Sequence, residues 1–143
     1  MLDLAWLAAA IDFEGSLCLF KDKYGWARRG FSWVSKLSIG NINKDILDHC
    51  LSITGLGSVS GGYSYKKNHR PFFVWAVSAN GLRELLPRVI PYLIIKRKHA
   101  ELICEALDII KTHWGNQYHL GENGDQRLEE IYCEMKQLNK RGA

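Results

Sequence analysis

Proline, methionine and closely spaced cysteines are all scarce in this sequence. Its 143 residues include three prolines and two methionines, which excludes a collagenous or proline-rich extended chain. Cys18, Cys50, Cys104 and Cys133 lie far apart with no CxxC, arguing against a zinc ribbon, a dithiol redox motif or a disulfide scaffold. They read as reduced, largely buried thiols of an intracellular protein, cytoplasmic or organellar and not secreted. No apolar run approaches the roughly 18 residues of a membrane span, so a membrane partner is not expected. Met1-Leu2-Asp3-Leu4 lacks the basic start of a signal peptide. His69, His99, His113 and His119 show no HxxxH or HExxH spacing, so they read as ordinary core or surface side chains.

What is present is ordinary for one globular domain spanning residues 1–143. Hydrophobic residues make up 47% and charged residues 24% of the chain, which excludes intrinsic disorder. The net charge of +4 is unevenly spread. Residues 1–20 carry Asp3, Asp12 and Glu14 with no base, whereas residues 21–70 hold nine bases against three acids. That basic block includes Lys21, Lys23, Arg28, Arg29, Lys36, Lys66, Lys67 and Arg70, interleaved with Tyr24, Trp26, Phe31, Trp33, Tyr63 and Tyr65. Bases mixed with aromatics suit a polyanion, because the bases neutralise phosphates and the rings stack on or read nucleobases. The same pattern also suits a solvated sheet face, and charge alone does not choose between them.

Periodicity orders the elements. Leu4, Leu7, Ala8 and Ile11 repeat at helical spacing, and Gly15 stands where a C-terminal cap belongs, predicting a helix over about 2–14. Strands follow over 16–23 and 31–39. A helix over 45–53 is capped by Asn43, and a hairpin of 57–65 with 71–78 has a basic tip at Lys66–Arg70. Asn80 opens a third helix ended by Pro87 and Pro91. A long amphipathic helix over 96–113 presents Leu102, Ala106, Ile109 and Ile110, and a last helix spans 125–138 after a polar loop. The fold class is α+β, ordered α-ββ-α-ββ-α with added C-terminal helices. The core covers about 2–113 and a helical extension 114–143, with helices on one face of a mixed antiparallel sheet.

The first helix ends against the usual rule. Asp12 and Glu14 occupy its last turn, where unpaired carbonyls already make the potential negative. The helix also carries a stripe of small residues, Ala5, Ala8 and Ala9, with Leu7 and Ile11 beside it. Such a stripe permits close helix–helix approach, here onto a second copy of the chain. Two Glu14 carboxylates would then meet at a two-fold axis and need cations or protons to coexist. Hard divalent ions such as Mg²⁺ accept carboxylate and carbonyl oxygens, so they fit. Taken alone, Glu14 reads better as a solvated acid in a C-cap turn.

The segment Leu7-Ala8-Ala9-Ala10-Ile11-Asp12-Phe13-Glu14-Gly15 resembles the signature of the LAGLIDADG homing endonucleases. It matches at Leu7, Ala8, Ile11, Asp12, the second acid Glu14 (Glu for Asp) and Gly15, and departs at Ala9 for Gly, Ala10 for Leu and Phe13 for Ala. The order of helices and hairpins is similar to that family's core. Ser38-Ile39-Gly40-Asn41-Ile42-Asn43-Lys44-Asp45 resembles its strand-exit segment, and Ile90-Pro91-Tyr92-Leu93-Ile94-Ile95-Lys96-Arg97-Lys98 its late basic segment. The resemblance covers about residues 2–110 and, with a single motif, is to the homodimeric branch.

It implies a site-specific, double-strand DNA endonuclease of mobile introns, acting as a homodimer on a long pseudo-palindromic site by metal-assisted phosphodiester hydrolysis. Catalysis would fall to Glu14, Asn41 and Lys96. Glu14 and the Phe13 carbonyl would hold Mg²⁺ or another hard divalent cation such as Mn²⁺ or Ca²⁺. The dimer seam would comprise Leu4, Ala5, Leu7, Ala8, Ala9, Ile11 and Asp12, with Asp12 structural. Candidate contacts to DNA are Lys21, Lys23, Arg28, Arg29, Lys36, Tyr65, Lys67 and Arg70. Two other readings stand beside this one. A relative that has lost cleavage would serve as an intron RNA maturase or a DNA-binding regulator. A domain with no nucleic-acid partner would use the alanine stripe as a plain dimer seam.

Overall fold

The computed structural model describes residues 2–23, 31–63, 66–68, 70–112 and 121–140. The chain runs α1 (Leu2–Glu14), β1 (Gly15–Lys23), β2 (Phe31–Asn41), α2 (Lys44–Thr54), β3 (Ser58–Tyr63) and β4 (Phe72–Ser78). It continues through α3 (Ala79–Val89), a 3₁₀ turn (Ile90–Tyr92), α4 (Arg97–Thr112) and α5 (Gly121–Leu138). The expected α+β order holds. The sheet has strand order β1-β2-β4-β3, and every pairing is antiparallel rather than mixed.

Strand alternation defines the two sides of this sheet. Leu17, Leu19, Trp33, Ser35, Leu37, Ile39, Trp75 and Val77 are buried, and they occupy alternate positions of β1, β2 and β4, so they share one face. Among the described residues, α1 to α5 lie against the strands on that side or on one another. The opposite, outer face carries Ser16, Cys18, Phe20, Asp22, Ser32, Val34, Lys36, Ser38 and Gly40, with Val74 and Ala76 of β4 and Ser58 and Ser60 of β3. Their pairings follow the register: Phe20 faces Val34, Cys18 faces Lys36, and Ser16 faces Ser38.

Local chemistry places the element ends. Asn43 caps α2, its side chain accepting from the Asp45 backbone N–H at 3.0 Å. Gly55 closes the helix at φ 64°, and its N–H bonds the Leu51 carbonyl at 2.7 Å. Two expectations move. Ser78, not Asn80, precedes α3, and Asn80 lies inside the helix, accepting from Arg83 at 2.9 Å. Pro87 does not end α3, which continues to Val89. Pro87 is exposed, and buried Leu82, Leu85, Leu86 and Val89 hold that helix on the core despite the lost bond. On α4, Leu102 and Ala106 are buried as expected, but Ile103 and Leu107 complete the buried face while Ile109 and Ile110 are only half-buried.

The last helix is anchored to this core rather than appended to it. Leu128, Ile131 and Met135 of α5 are buried. Arg127 forks onto Glu105 of α4 at 2.7 and 2.8 Å, and Asn139 donates to the Leu17 carbonyl at 3.1 Å. Among the described residues no helix is long and apolar enough to cross a membrane.

Candidate functional site

The junction of α1 with β1 is the most constrained point of the chain. No loop separates helix from strand: Glu14 ends α1 and Gly15 begins β1. A Cβ at Gly15 would lie 2.6 Å from the Ile11 carbonyl oxygen, so only glycine allows so abrupt an exit. Asp12, one turn earlier, is buried, and its carboxylate accepts three backbone N–H groups. Ile94 donates at 2.8 Å, Ile95 at 3.1 Å and Lys96 at 2.9 Å. The acid that looked misplaced at a helix C-terminus thus holds the segment leading into α4. In return, the Lys96 ammonium donates to the Asp12 carbonyl at 2.7 Å, a cation at the negative end of the α1 dipole.

Lys96 is thereby fixed beside the last turn of α1, where Phe13 and Glu14 are exposed. Asn41 ends β2, two residues past Ile39, which pairs with Gly15. Its Oδ1 accepts the Asn43 N–H at 2.8 Å, which orients the amide and leaves its NH₂ group to donate elsewhere. Glu14, Asn41 and Lys96 therefore gather around one end of the sheet.

Metal-binding capacity there can be tested against the donors present. One chain offers the Glu14 carboxylate and the Phe13 carbonyl, which lies among the helix-terminal carbonyls that lack intrahelical partners. Both are hard oxygens suited to Mg²⁺ or Ca²⁺. Among the described residues no group of three or more His, Cys, Asp or Glu side chains could enclose a metal ion. The donor chemistry fits a hard cation, but a single chain supplies only an open part of its shell.

The expected seam of α1 divides into two faces. Leu7, Ala8 and Ile11 have no accessible surface, and Asp12 is buried by its own chain. These four serve the core, packing α1 on the sheet, α3 and the 3₁₀ turn, and have no surface to offer a partner. Leu4 is half-buried, while Ala5 and Ala9 are exposed. On the side of Ala5 and Ala9 stand Leu2 (87% exposed), Trp6 (40%) and Phe13 (78%), at helical spacing. The small residues and the large exposed apolar ones share one largely uncovered face, along which the Trp6 ring packs edge-on against His49 of α2 at 4.6 Å.

The candidate DNA-contact residues also separate. Lys36 lies on the outer face and is exposed. Lys67 and Arg70 are exposed at the β3–β4 tip. Arg28, Arg29 and Tyr65 lie outside the described residues. Lys21 points to the helix side: it pairs with Glu129 of α5 and stands 4.8, 5.2 and 5.1 Å from the ring centroids of Phe31, Trp33 and Tyr132. That corrects its placement on the free face, because the strand period of two sends it inward with Leu17 and Leu19. Lys23 has the same parity and sits opposite Phe31, although it is exposed. The residues missed are the outward ones, Phe20 above all; the burial parity implied by Leu17 and Leu19 was the signal that could have found it.

No protein-family profile matches the sequence, and no curated protein matches it. Solved structures do. The homing endonuclease I-CvuI, in complex with a DNA target, superposes with a TM-score of 0.80 at 18% identity over 99% of this chain and 85% of its own. An archaeal intron-encoded homing endonuclease complexed with DNA gives 0.80 at 19% identity, over 99% and 87% of the two chains. I-SmaMI, bound to an uncleaved DNA target in the presence of calcium ions, gives 0.75 at 21% identity, and this chain spans 46% of its length. The chain has the fold of the LAGLIDADG homing endonucleases, as the motif implied.

Proposed function

We propose that this protein is a site-specific, double-strand DNA endonuclease that acts as a homodimer and hydrolyses phosphodiesters with the help of a hard divalent cation. The observation that carries the reading is the end of α1. An exposed Glu14 carboxylate, the Phe13 carbonyl and the anchored Lys96 ammonium stand together where a helix with an uncovered apolar face meets a sheet with a free outer face. Two structures sharing this fold are described as homing endonucleases in complex with DNA, and a third as bound to an uncleaved DNA target.

Two copies joined through Leu2, Ala5, Trp6, Ala9 and Phe13 bring their Glu14 side chains to the axis, completing a donor set that one chain leaves open. A cation held there supplies Lewis acidity and a more acidic water. Lys96 stabilises charge that accumulates on the phosphate, its position held by the Asp12 carbonyl. The Asn41 amide, oriented by the Asn43 N–H, positions the attacking water. Lys36 approaches base edges in the major groove, and Lys67 and Arg70, with Arg28 and Arg29, meet phosphates. The alternative is a relative without cleavage, serving as an intron RNA maturase or a DNA-binding regulator.

The test is incubation of a randomised duplex library with Mg²⁺ and either the natural protein or Glu14→Gln. Defined double-strand cuts by the natural protein, lost in the variant while DNA binding persists, are expected. Binding by both with cutting by neither would favour the maturase or regulator.

A further inference from the structure

The outer face of the sheet is poor in charge for a surface that meets a polyanion. Its rows carry six serines (Ser16, Ser32, Ser38, Ser58, Ser60 and Ser78), and the ionic groups that the described strands place on this face are Lys36 and Asp22. Between these two, Phe20 faces Val34 across β1 and β2. Phe20 is 39% exposed and Val34 half-buried, whereas Cys18, Val74 and Ala76 of the same face are half-buried, so the pair forms the most prominent apolar step among the serines. Serine hydroxyls donate or accept and so discriminate weakly between bases. The side chains on this face that do discriminate are the apolar pair, Lys36 and, toward the outer end of β1, Asp22, whose carboxylate accepts from the cytosine N4 amine. In the major groove the one apolar feature of a base edge is the C5-methyl of thymine, while lysine selects the O6 and N7 acceptors of guanine.

We infer that Phe20 and Val34 recognise a thymine methyl in each half of the DNA site, and that Lys36 recognises a guanine closer to the centre. This rests on the endonuclease reading above and specifies the sequence that reading leaves open. The spacing follows from geometry. Val34 and Lys36 are two residues apart on one strand face, roughly 6.6 Å. Bases on one DNA strand rise about 3.4 Å per step, so the two recognised positions lie about two base steps apart. Lys36 is the nearer to the centre, because β1 and β2 run outward from the α1 junction at Gly15 and Ile39. Lys36, with Lys67 and Arg70 exposed at the hairpin tip, provides the positive charge that brings a duplex onto this face.

The experiment is selection of bound duplexes from a randomised library, followed by replacement of each thymine of the selected site by deoxyuridine. That change removes one methyl and nothing else. Burial of one such group is worth about 0.8 kcal/mol, so affinity should fall about fourfold at one position per half-site. The sensitive position should lie about two steps outside the one whose guanine preference disappears in Lys36→Ala. Phe20→Ala should bind thymine and deoxyuridine duplexes equally. A selected site that tolerates deoxyuridine everywhere would overturn the inference and leave the DNA reading standing, and so would methyl sensitivity that persists in both Phe20→Ala and Val34→Ala. Failure to bind or select any duplex would overturn both. The ratio measured with the natural protein needs no variant, so a poorly folding Phe20→Ala would not rescue the idea.

Discussion

At the scale of the residue, Asp12 and Glu14 show how two acids two positions apart are put to opposite uses. Asp12 faces inward and is covered, and three backbone N–H groups compensate its burial. Glu14 is exposed at the end of the helix, beside the turn that Gly15 alone permits. A buried carboxylate serving several donors is costly to alter, since hydrogen bonds to a charged group are each worth about 1.5–3 kcal/mol. Asp12→Asn keeps the shape but removes the charge and presents an NH₂ group to backbone donors. It is expected to lose about 2 kcal/mol of stability in urea unfolding. Glu14→Gln, on exposed surface, should leave the unfolding curve within about 0.5 kcal/mol of the natural protein. Equal losses from the two substitutions would refute this division of labour.

At the scale of the element, α5 depends on contacts that acid weakens. His99 of α4 is buried beneath the end of α5, where the Leu138 backbone and the Asn139 side chain hydrogen-bond to it. Burial, and then the positive charge of Lys96, hold its imidazole below the usual 6.5, outweighing those hydrogen bonds and the attraction of Asp12. The folded chain therefore keeps His99 neutral at pH values where the unfolded chain takes up a proton. Stability associated with the neutral ring is present above about pH 6.5 and is lost as the pH falls toward the lower folded value. Thermal unfolding should show a midpoint that drops as the pH falls below about 6.5, with a shallower drop in His99→Gln. An unchanged slope in that variant would remove His99 as the cause. The Arg127 fork on Glu105 holds that carboxyl low, but both side chains are more than a third exposed, so solvent and salt screen its contribution.

At the scale of the molecule, the fold leaves part of α1 bare. Its core covers one face of the sheet with all the helices, yet one side of α1 remains uncovered, with Leu2, Trp6 and Phe13 exposed around Ala5 and Ala9. Ala9 is exposed, so a bulky charge there would extend into the space that a second helix would occupy. Ala9→Arg is expected to shift the protein from dimer to monomer in sedimentation while its unfolding midpoint, extrapolated to low concentration, stays put. A natural protein that sediments as a monomer across micromolar concentrations would sink the homodimer proposal.

What the sequence determined by itself was its local code: helical period in α1, turn chemistry at Asn43 and Gly55, strand-forming runs in β1 and β2, and the motif ending at Gly15. These depend on neighbours a few residues apart, so they can be read without a third dimension. The same code exposed Asp12 and Glu14 as oddly placed, and the motif distinguished a structural acid from an exposed one. The side each residue faces was settled only by packing. A strand's period of two turns a one-residue choice of register into opposite faces, which sent Lys21 to Glu129 and Phe20 outward. The same holds for α1, where Leu7, Ala8 and Ile11 proved to be core and Ala5 and Ala9 surface. Apolar residues on a helix declare that something covers them, and only the tertiary structure decides whether the cover is the chain itself or a partner.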